Sequence, residues 1–317
     1  AGQRPAVPGK AFMPGWRPKG GWATPMKMRG AVKVPGTCGE LVQGTVEGVP
    51  FHVSCPVDIY AEVDVELETE WLGLDCPADS PKASAALRAL LARQGCNGIG
   101  GRMAIRSPLP RSKGMASSTA DVAGAIYAAA RALDREVPPS EVARLALEIE
   151  PSDGSLFPNI VLFDHWGGKL WEDLGPCPPL ELVVLDFGGE VDTLAFNRQD
   201  RSALLRETEA QVAEALSMVR EGLVRGLPDL IGHGATLSAL ANQRILFKPQ
   251  LEAVLAAAEE VDALGVNVAH SGTVLGVLLD SRLHDAQDVR AWLETRLPGL
   301  NFAISCRLTG GGPVALP

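Results

Sequence analysis

The chain has 317 residues, 46% of them hydrophobic and 21% charged, which favours a globular protein of two domains over a fibrous or coiled-coil one. Its formal net charge of −9 disfavours a nucleic-acid-binding surface, because affinity for a phosphate backbone needs a basic face. No apolar run reaches the ~18–20 residues that span a bilayer. The six cysteines are scattered without a Cys-x-x-Cys pair, which disfavours zinc and redox motifs and favours a reduced, cytoplasmic location.

Residues 1–30 have a composition unlike the rest of the chain. They contain six Gly and five Pro together with six Lys or Arg and no acidic residue. Such a segment cannot bury a core, so we expect residues 1–30 to be a disordered basic leader and the fold to begin near Ala31. The segment lacks the apolar stretch of a secretory signal peptide.

Strand patterns dominate the first part of the expected fold. Residues 31–44 predict a short strand that a Pro-Gly pair interrupts, followed by a glycine-bearing turn. Residues 51–70 alternate between apolar and acidic side chains, which predicts a half-buried strand whose carboxylates face solvent. We expect a helix over residues 84–94 and a strand over residues 100–107.

The segment Pro110–Ala120 reads Pro-Arg-Ser-Lys-Gly-Met-Ala-Ser-Ser-Thr-Ala and precedes an Ala-rich run. Gly114 permits a tight turn, and residues 117–119 are good N-cap residues for a helix whose first amides point at the loop. Unpaired amides and the positive helix end favour phosphate, and Lys113 and Arg111 add positive charge. From these residues alone, an ordinary loop with a serine-capped helix is equally favoured. The chain has no Gly-x-x-x-x-Gly-Lys-(Ser/Thr) pattern, which disfavours a P-loop enzyme.

Residues 140–155 predict a helix followed by a polar turn. Ser140 is the expected N-cap, and Pro151 disfavours helical backbone at Glu150, where the helix should end. Asp153 lies in the turn. Taken by itself, it is interpreted as a turn residue or a solvent-facing acid.

The second half of the chain alternates strand and helix patterns. A strand and hairpin over residues 157–170 precede a proline-rich joint at residues 176–179. His233 is interpreted as a structural residue, and His270 as a turn histidine with a ligand contact as the alternative. The remaining strands and helices are expected over residues 180–187, 201–224, 228–242, 249–264, 268–280, 286–297 and 302–308.

The segment at residues 110–120 resembles the phosphate-binding second motif of the GHMP kinases, the superfamily of galactokinase, homoserine kinase, mevalonate kinase and phosphomevalonate kinase. Ala116 replaces a glycine that is usual in that motif. The resemblance implies an α+β fold of two domains, ribosomal-S5-like over residues 31–175 and ferredoxin-like over residues 176–317. It also implies that ATP binds at Pro110, Arg111, Ser112, Lys113, Gly114, Met115, Ala116, Ser117, Ser118, Thr119 and Ala120.

The same resemblance implies roles for individual side chains. Asp153 would face the acceptor hydroxyl, with Lys113 as a second catalytic residue. Ser118 and Glu150 would hold Mg²⁺, and Glu148 is the alternative glutamate. The first and third family motifs, near residues 35–44 and 268–276, would bind the substrate through Gly39, Glu40, Ser271 and Gly272.

Residues 35–44 and 188–197 resemble, more narrowly, the L-threonine kinases that serve cobalamin (vitamin B12) nucleotide-loop assembly. This implies ATP-dependent phosphorylation of the L-threonine hydroxyl to O-phospho-L-threonine, for the linker of that loop. L-Serine, homoserine or ethanolamine as acceptor, or a catalytically silent ligand sensor, are the alternatives. Thr37 stands where the family commonly has a cation, so Lys113 or Arg111 is expected to supply that charge. A small molecule is the expected partner, and the sequence predicts no oligomeric state.

Overall fold

The computed structural model describes residues 26–189 and 200–317, and within these ranges eleven strands form one sheet. The strands are β1 Lys27–Val46, β2 Val49–Glu68, β3 Leu74–Asp75, β4 Gly100–Arg106, β5 Ile160–Phe163, β6 Trp171–Gly175, β7 Leu180–Asp186, β8 Gly265–Val268, β9 Leu275–Asp280, β10 Phe302–Arg307 and β11 Val314–Ala315. The helices are α1 Pro81–Arg93, α2 Ser117–Ala132, α3 Pro139–Ile149, α4 Ser202–Arg225, α5 Pro228–Asn242, α6 Leu251–Glu260 and α7 Ala286–Arg296, with a 3₁₀ turn at Gly154–Leu156.

Strands β1 and β2 form a long antiparallel pair at the centre of the sheet. The alternation expected of β2 is confirmed, and its acidic face meets basic side chains at the surface, as where Arg102 donates to Glu66. β1 begins at Lys27, a few residues before the expected start of the fold near Ala31, and residues 1–25 of the expected leader lie outside the described ranges. Gly30 explains part of this extension, since a β-carbon there would lie 2.1 Å from the Ala128 carbonyl oxygen of α2. Only a glycine lets the strand and the helix approach so closely.

The first predicted motif lies where β1 is irregular. The pairing register with β2 shifts three times between Pro35 and Val42. Bulges of this kind bend a strand and re-aim its side chains, and they are common beside active sites. Gly39 has a positive φ of 52°, and a β-carbon on it would lie 2.6 Å from the backbone of Ala269. The irregular stretch therefore holds β1 directly against the turn that follows β8.

Helix α2 packs on the sheet through small residues, as at Gly124, where a β-carbon would lie 2.5 Å from Val63 Cγ2. Its predicted serine cap is wrong: the residue before the helix is Ala116, in the left-handed conformation with φ 52°, and no side chain caps the first turn. The expected Ser140 cap of α3 is also wrong. That helix begins at Pro139, after Pro138, because proline at the first position is already set for helical φ.

The sheet runs in the order β10-β7-β9-β8-β1-β2-β4-β3, with β11 on β1, β5 on β2 and β6 on β5. Strand β8 pairs with β1 at Val268 and Glu40, so the sheet continues past the proline-rich joint and joins the two halves.

The helices expected in the second half are confirmed within a few residues of their predicted ends. Residues 190–197 of the threonine-kinase-like segment lie outside the described ranges. No helix in those ranges has the length and apolar composition to cross a membrane.

Candidate functional site

We call the segment Pro110–Ala120 the central loop. A cavity of about 410 Å³ opens between this loop, the start of α1 and the turn after α3. Its lining includes most of the loop that was expected to bind phosphate, and also Glu150 and Asp153. The loop residues that line it are Arg111, Ser112, Gly114, Met115, Ala116, Ser117, Ser118 and Thr119. Pro110, Lys113 and Ala120 belong to the same segment but do not line the cavity.

The backbone of the central loop is bent at left-handed positions. Gly114 has φ 82°, as its identity predicts, while Ser112 and Ala116 adopt φ 60° and 52°. Left-handed backbone is disfavoured for residues with a β-carbon, so the surroundings must hold the loop in this shape. The first motif does so from one side, because the Gly39 amide donates to the Gly114 carbonyl and the Thr37 amide donates to the Met115 carbonyl, each over 3.1 Å.

The third motif holds the loop from the other side. The amides of Thr273 and Val274 both donate to the Lys113 carbonyl, over 3.0 and 3.1 Å. A β-carbon on Gly272 would lie 2.3 Å from Gly114 Cα, so the two backbones are in direct contact. The buried Lys248 ammonium donates to the Gly272 carbonyl over 2.6 Å. Gly39 and Gly272, both expected to bind substrate, thus lie outside the cavity lining and support the loop, whereas Glu40 and Ser271 line the cavity.

The start of α2 gives the cavity an anion-attracting end. Helix geometry leaves the first amides of α2 without intrahelical partners, and the helix dipole is positive there. Arg111 lines this end and donates to the Asp79 carbonyl over 2.7 Å. Its guanidinium also lies 3.9 Å from Asp121, whose pKa is raised by burial to about 6. Free amides beside a guanidinium form a suitable site for phosphate oxygens.

Lys113 points away from this end. Its ammonium lies 3.1 Å from the fully buried Asp186 carboxylate at the end of β7 and donates to the Gly189 carbonyl. Burial opposes ionisation of Asp186, but hydrogen bonds from Thr273, Asn301 and Lys113 hold its pKa below the usual value. The side chain predicted to act in catalysis therefore fastens the central loop to the second half of the sheet, and a direct role in catalysis stays a prediction.

We expect Lys113→Met to lower the free energy of unfolding by ~3 kcal/mol, because it leaves the buried Asp186 carboxylate without its cation. Chemical denaturation measures this, with Lys27→Met as control, since that ammonium is exposed and its loss should cost under ~0.5 kcal/mol. The double variant Lys113→Met/Asp186→Asn should recover part of the loss. Equal stability of Lys113→Met and the control would contradict the structural role of the Lys113–Asp186 pair. A double variant with restored stability but little turnover would indicate that Lys113 takes a direct part in catalysis.

Ser118 and Glu150, the predicted metal ligands, are brought together across the cavity. The Ser118 hydroxyl donates to the Glu150 carboxylate, and the Lys82 ammonium binds the other oxygen of that carboxylate. Mg²⁺ prefers a carboxylate and hydroxyl or water oxygens, so this donor set fits it, and Lys82 marks a place where a cation is favoured. Glu148, the alternative ligand, lies outside the cavity lining and pairs with Arg93 over 2.6 Å.

Asp153 lines the cavity beside the first turn of α2. The Thr119 hydroxyl donates to its carboxylate and accepts from its backbone amide, both over 3.2 Å. This reciprocal pair fixes the acid against the first turn of α2, close to the expected phosphate site. His52 Nδ1 lies 3.6 Å from Asp153 Oδ1. Asp153 is therefore an oriented carboxylate facing the cavity, where it can accept a proton from a bound hydroxyl.

Glu40 is a buried acid on the same side of the cavity. Its carboxylate accepts the His270 amide over 2.6 Å and lies 3.9 Å from His52 Nδ1. Burial raises the pKa of Glu40 from its usual 4.5 to about 7, with the Asp153 charge acting in the same direction and His52 and Lys248 opposing it. The carboxylate thus becomes charged near neutral pH, and a cationic ligand would stabilise that form.

This pKa predicts a pH-dependent stability. Between about pH 4.5 and 7 the folded chain keeps the Glu40 proton that the unfolded chain has released, so stability falls as pH rises. From about pH 5 to 8 the wild type should lose about 2.5 kcal/mol more unfolding free energy than Glu40→Gln. Denaturation at several pH values measures this, with Glu62→Gln as control, because the Glu62 side chain is 41% exposed. Parallel profiles for wild type and Glu40→Gln would contradict the raised pKa.

Three histidines complete this side of the cavity. His52 comes from β2, and His165 and His270 follow the ends of β5 and β8. The rings of His52 and His165 stack with centroids 3.7 Å apart, and the His270 ring lies 4.4 Å from that of His52. His270, interpreted as a turn histidine with a ligand contact as the alternative, lines the cavity. His52 and His165 were not identified from sequence. They are distant along the chain, so only the pairing of their strands brings them together.

Lys82 was missed for a local reason, since the helix was expected to start at Ser84 and α1 starts at Pro81. Proline at a first helical position is a signal that could have found it.

The completed cavity joins an anion-attracting end, a carboxylate and hydroxyl pair suited to Mg²⁺, and an oriented acid beside buried polar side chains. Such an arrangement can align a polyphosphate with a small acceptor.

Comparison with known proteins gives matches to both halves of the chain. The models "GHMP kinases N terminal domain" and "GHMP kinases C terminal" match residues 82–157 and 219–299. Over 267 residues, the chain is 37% identical to an L-threonine kinase of Salmonella typhimurium, covering 83% of this chain and 87% of that one. An L-threonine kinase of Citrobacter freundii is 36% identical over 267 residues, or 83% and 90% of the two chains. The crystal structure of a homoserine kinase from Cytophaga hutchinsonii has a TM-score of 0.70 at 16% identity, covering 92% and 97%.

Proposed function

Because the chain belongs to the GHMP kinase family, we propose that it transfers the γ-phosphoryl group of ATP to the side-chain hydroxyl of L-threonine. The observation that carries this proposal is a single cavity in which Asp153 lies beside the anion-attracting start of α2. The L-threonine kinases of Salmonella typhimurium and Citrobacter freundii, at 37% and 36% identity, support threonine as the acceptor.

The central loop and the start of α2 bind the triphosphate. The first amides of α2 and the Arg111 guanidinium lie on the same end of the cavity and favour phosphate oxygens. The loop needs no rearrangement to present these groups, because the Gly39 and Thr273 amides already hold its backbone. Phosphoryl transfer depends mainly on positioning and charge stabilisation, so a rigid loop suits it.

Ser118 and Glu150 would hold Mg²⁺, with Lys82 moving from the Glu150 carboxylate to the phosphates. When bound, Mg²⁺ neutralises the negative charge that develops on the transferring group. Loss of one ligand should therefore raise the Mg²⁺ concentration that gives half-maximal rate.

Asp153 orients the acceptor. Its carboxylate, fixed by Thr119, accepts a hydrogen bond from the threonine hydroxyl and takes its proton as the oxygen attacks the γ-phosphorus. The bond between the γ-phosphorus and the bridging oxygen breaks, and ADP leaves with that electron pair. The products are O-phospho-L-threonine and ADP, and the proton passes from Asp153 to solvent.

We place the product in the linker of the cobalamin nucleotide loop and the enzyme in the cytoplasm. The first inference is supported by the resemblance of residues 35–44 to kinases of that assembly, and the second by six cysteines that are all free thiols within the described ranges. A two-domain division at residues 31–175 and 176–317 is part of the same proposal.

A comparison of acceptors tests the proposed substrate. With ATP and Mg²⁺, kcat/KM from a coupled ADP assay should fall in the order L-threonine, L-serine, amino alcohols. Serine lacks one methyl, which an apolar pocket discriminates by about 10 to 200-fold. Loss of the carboxylate should cost more, because buried donors that pair with it would be left unsatisfied. A preference for homoserine or ethanolamine would overturn threonine as the substrate, and ADP release that no acceptor stimulates would overturn the kinase proposal.

A further inference from the structure

Two buried histidines of the cavity have unsatisfied ring nitrogens. His52 is 4% exposed and His165 is 6% exposed, and none of their four ring nitrogens has a hydrogen-bond partner among the residues that the structure describes. Both side chains line the cavity. Buried polar groups are nearly always paired, and an exception calls for a specific explanation, such as a ligand that supplies the missing partners.

The charge state of the cluster indicates what kind of ligand it accepts. Burial lowers the pKa of His165 and His270 well below the usual value, so both rings are neutral. A neutral imidazole offers one N–H donor and one nitrogen acceptor, so the cluster can serve a ligand that both donates and accepts. Arg201 and Lys248 contribute to the lowered His270 pKa, which places two positive charges within electrostatic range of the cluster.

The cluster adjoins the proposed phosphorylation point. His52 Nδ1 lies 3.6 Å from Asp153, where the acceptor hydroxyl is proposed to bind, and 3.9 Å from the Glu40 carboxylate. In a 2-amino-3-hydroxy acid, only the α- and β-carbons separate the hydroxyl from the ammonium and carboxylate groups. A ligand whose hydroxyl meets Asp153 is therefore the right size to place both charged groups beside Glu40 and the stacked rings.

We propose that His52, His165 and Glu40 form the subsite for the amino-acid end of the acceptor. Glu40 pairs with the α-ammonium, and the N–H groups of His52 and His165 donate to the α-carboxylate. This assignment rests on the proposed function and adds specificity-determining residues to it. It makes the carboxylate of the acceptor a requirement for tight binding.

The stacked geometry argues against a metal at the same place. One nitrogen from each of the three rings lies within 4.8 Å of the other two, which is compatible with shared ligation in distance alone. The rings of His52 and His165 are however parallel within 8° with centroids 3.7 Å apart, so the in-plane lone pairs of the two rings lie in separate, nearly parallel planes. Metal ligation needs lone pairs that converge on one point at about 2.0–2.1 Å.

The test compares two acceptors that differ only in the carboxylate, L-threonine and (R)-1-amino-2-propanol, in wild type and His165→Phe. Phenylalanine keeps the stacked ring and removes both nitrogens. We expect the KM for L-threonine to rise ~10 to 100-fold, while the kinetics with the amino alcohol and the KM for ATP change less than about threefold. His233→Gln is the matched control, because that histidine is exposed on α5. It should leave both acceptors unchanged.

An unchanged threonine KM, or equal losses for both acceptors, would overturn the subsite. If thermal melting shows that His165→Phe does not fold, His165→Asn is used for the same test. The expected rise in the KM for L-threonine is then smaller, because asparagine keeps a hydrogen-bond donor. Stoichiometric zinc that wild type retains through EDTA dialysis and His165→Asn loses would also overturn it. A wild type that does not phosphorylate threonine contradicts the proposed function instead, so the two failures are distinguishable.

Discussion

Replacing Asp153 by Asn is expected to lower kcat with L-threonine by ~10² to 10⁴-fold, while the KM for ATP stays near its wild-type value. The amide still fills the space beside Thr119 and can keep a hydrogen bond there, but it cannot take the acceptor proton. The loose transition state of phosphoryl transfer leaves limited work for a base and places the effect toward the lower end of this range. Steady-state kinetics with varied ATP and threonine measure both quantities.

Asp173→Asn is the matched control for this variant. Asp173 lies on β6 and accepts hydrogen bonds from Asn159, outside the lining of the cavity. Its loss should leave kcat unchanged. Near-normal turnover of a folded Asp153→Asn variant would return Asp153 to the role of a turn residue, the interpretation that its local sequence favours.

The second large effect is expected at Gly114. Its φ of 82° is unfavourable for any residue with a β-carbon, and a β-carbon there would lie 2.3 Å from Ala269 Cβ and 3.1 Å from Gly272 Cα. The loop in Gly114→Ala must therefore move away from the third motif and take the phosphate-binding amides with it. Strain of ~1–3 kcal/mol together with this contact should weaken nucleotide binding about 100-fold.

Calorimetric titration with a non-hydrolysable ATP analogue and Mg²⁺ measures this change. Gly98→Ala is a suitable control, because Gly98 has open space around its Cα and is not among the positive-φ residues. Wild-type nucleotide affinity in a folded Gly114→Ala variant would contradict the assignment of the loop. A melting curve for each variant separates loss of binding from loss of fold.

Local patterns predicted most of the secondary structure. The alternation in residues 51–70 and the helical periodicity in residues 201–242 depend on one element facing one core, so neighbouring residues carry the signal. Helix starts were less predictable. Ser140 has good capping chemistry, yet the preceding prolines set the start of α3. At the start of α2, strand β1, which is distant in sequence, donates hydrogen bonds to the loop residues just before the left-handed Ala116 and so holds it in place.

The candidate site could be predicted where a motif is contiguous and was missed where residues converge from distant strands. Most of the segment proposed to bind phosphate lines the cavity together with Glu150 and Asp153, which lie within a few residues of each other in the sequence. The direction of the Lys113 side chain depends on Asp186, which no local pattern reveals. His52 and His165 adjoin through the β2–β5 pairing. Strand pairing across long stretches of chain decides such contacts, and periodicity does not encode it.

Phosphorus NMR of the wild-type protein with ATP, Mg²⁺ and L-threonine tests the transfer itself. We expect a phosphomonoester signal, split by the threonine β-proton, that grows in equal amount with ADP and is absent when threonine is omitted. Growth of inorganic phosphate and ADP without that monoester, or an ATP spectrum that threonine leaves unchanged, would contradict phosphoryl transfer to threonine.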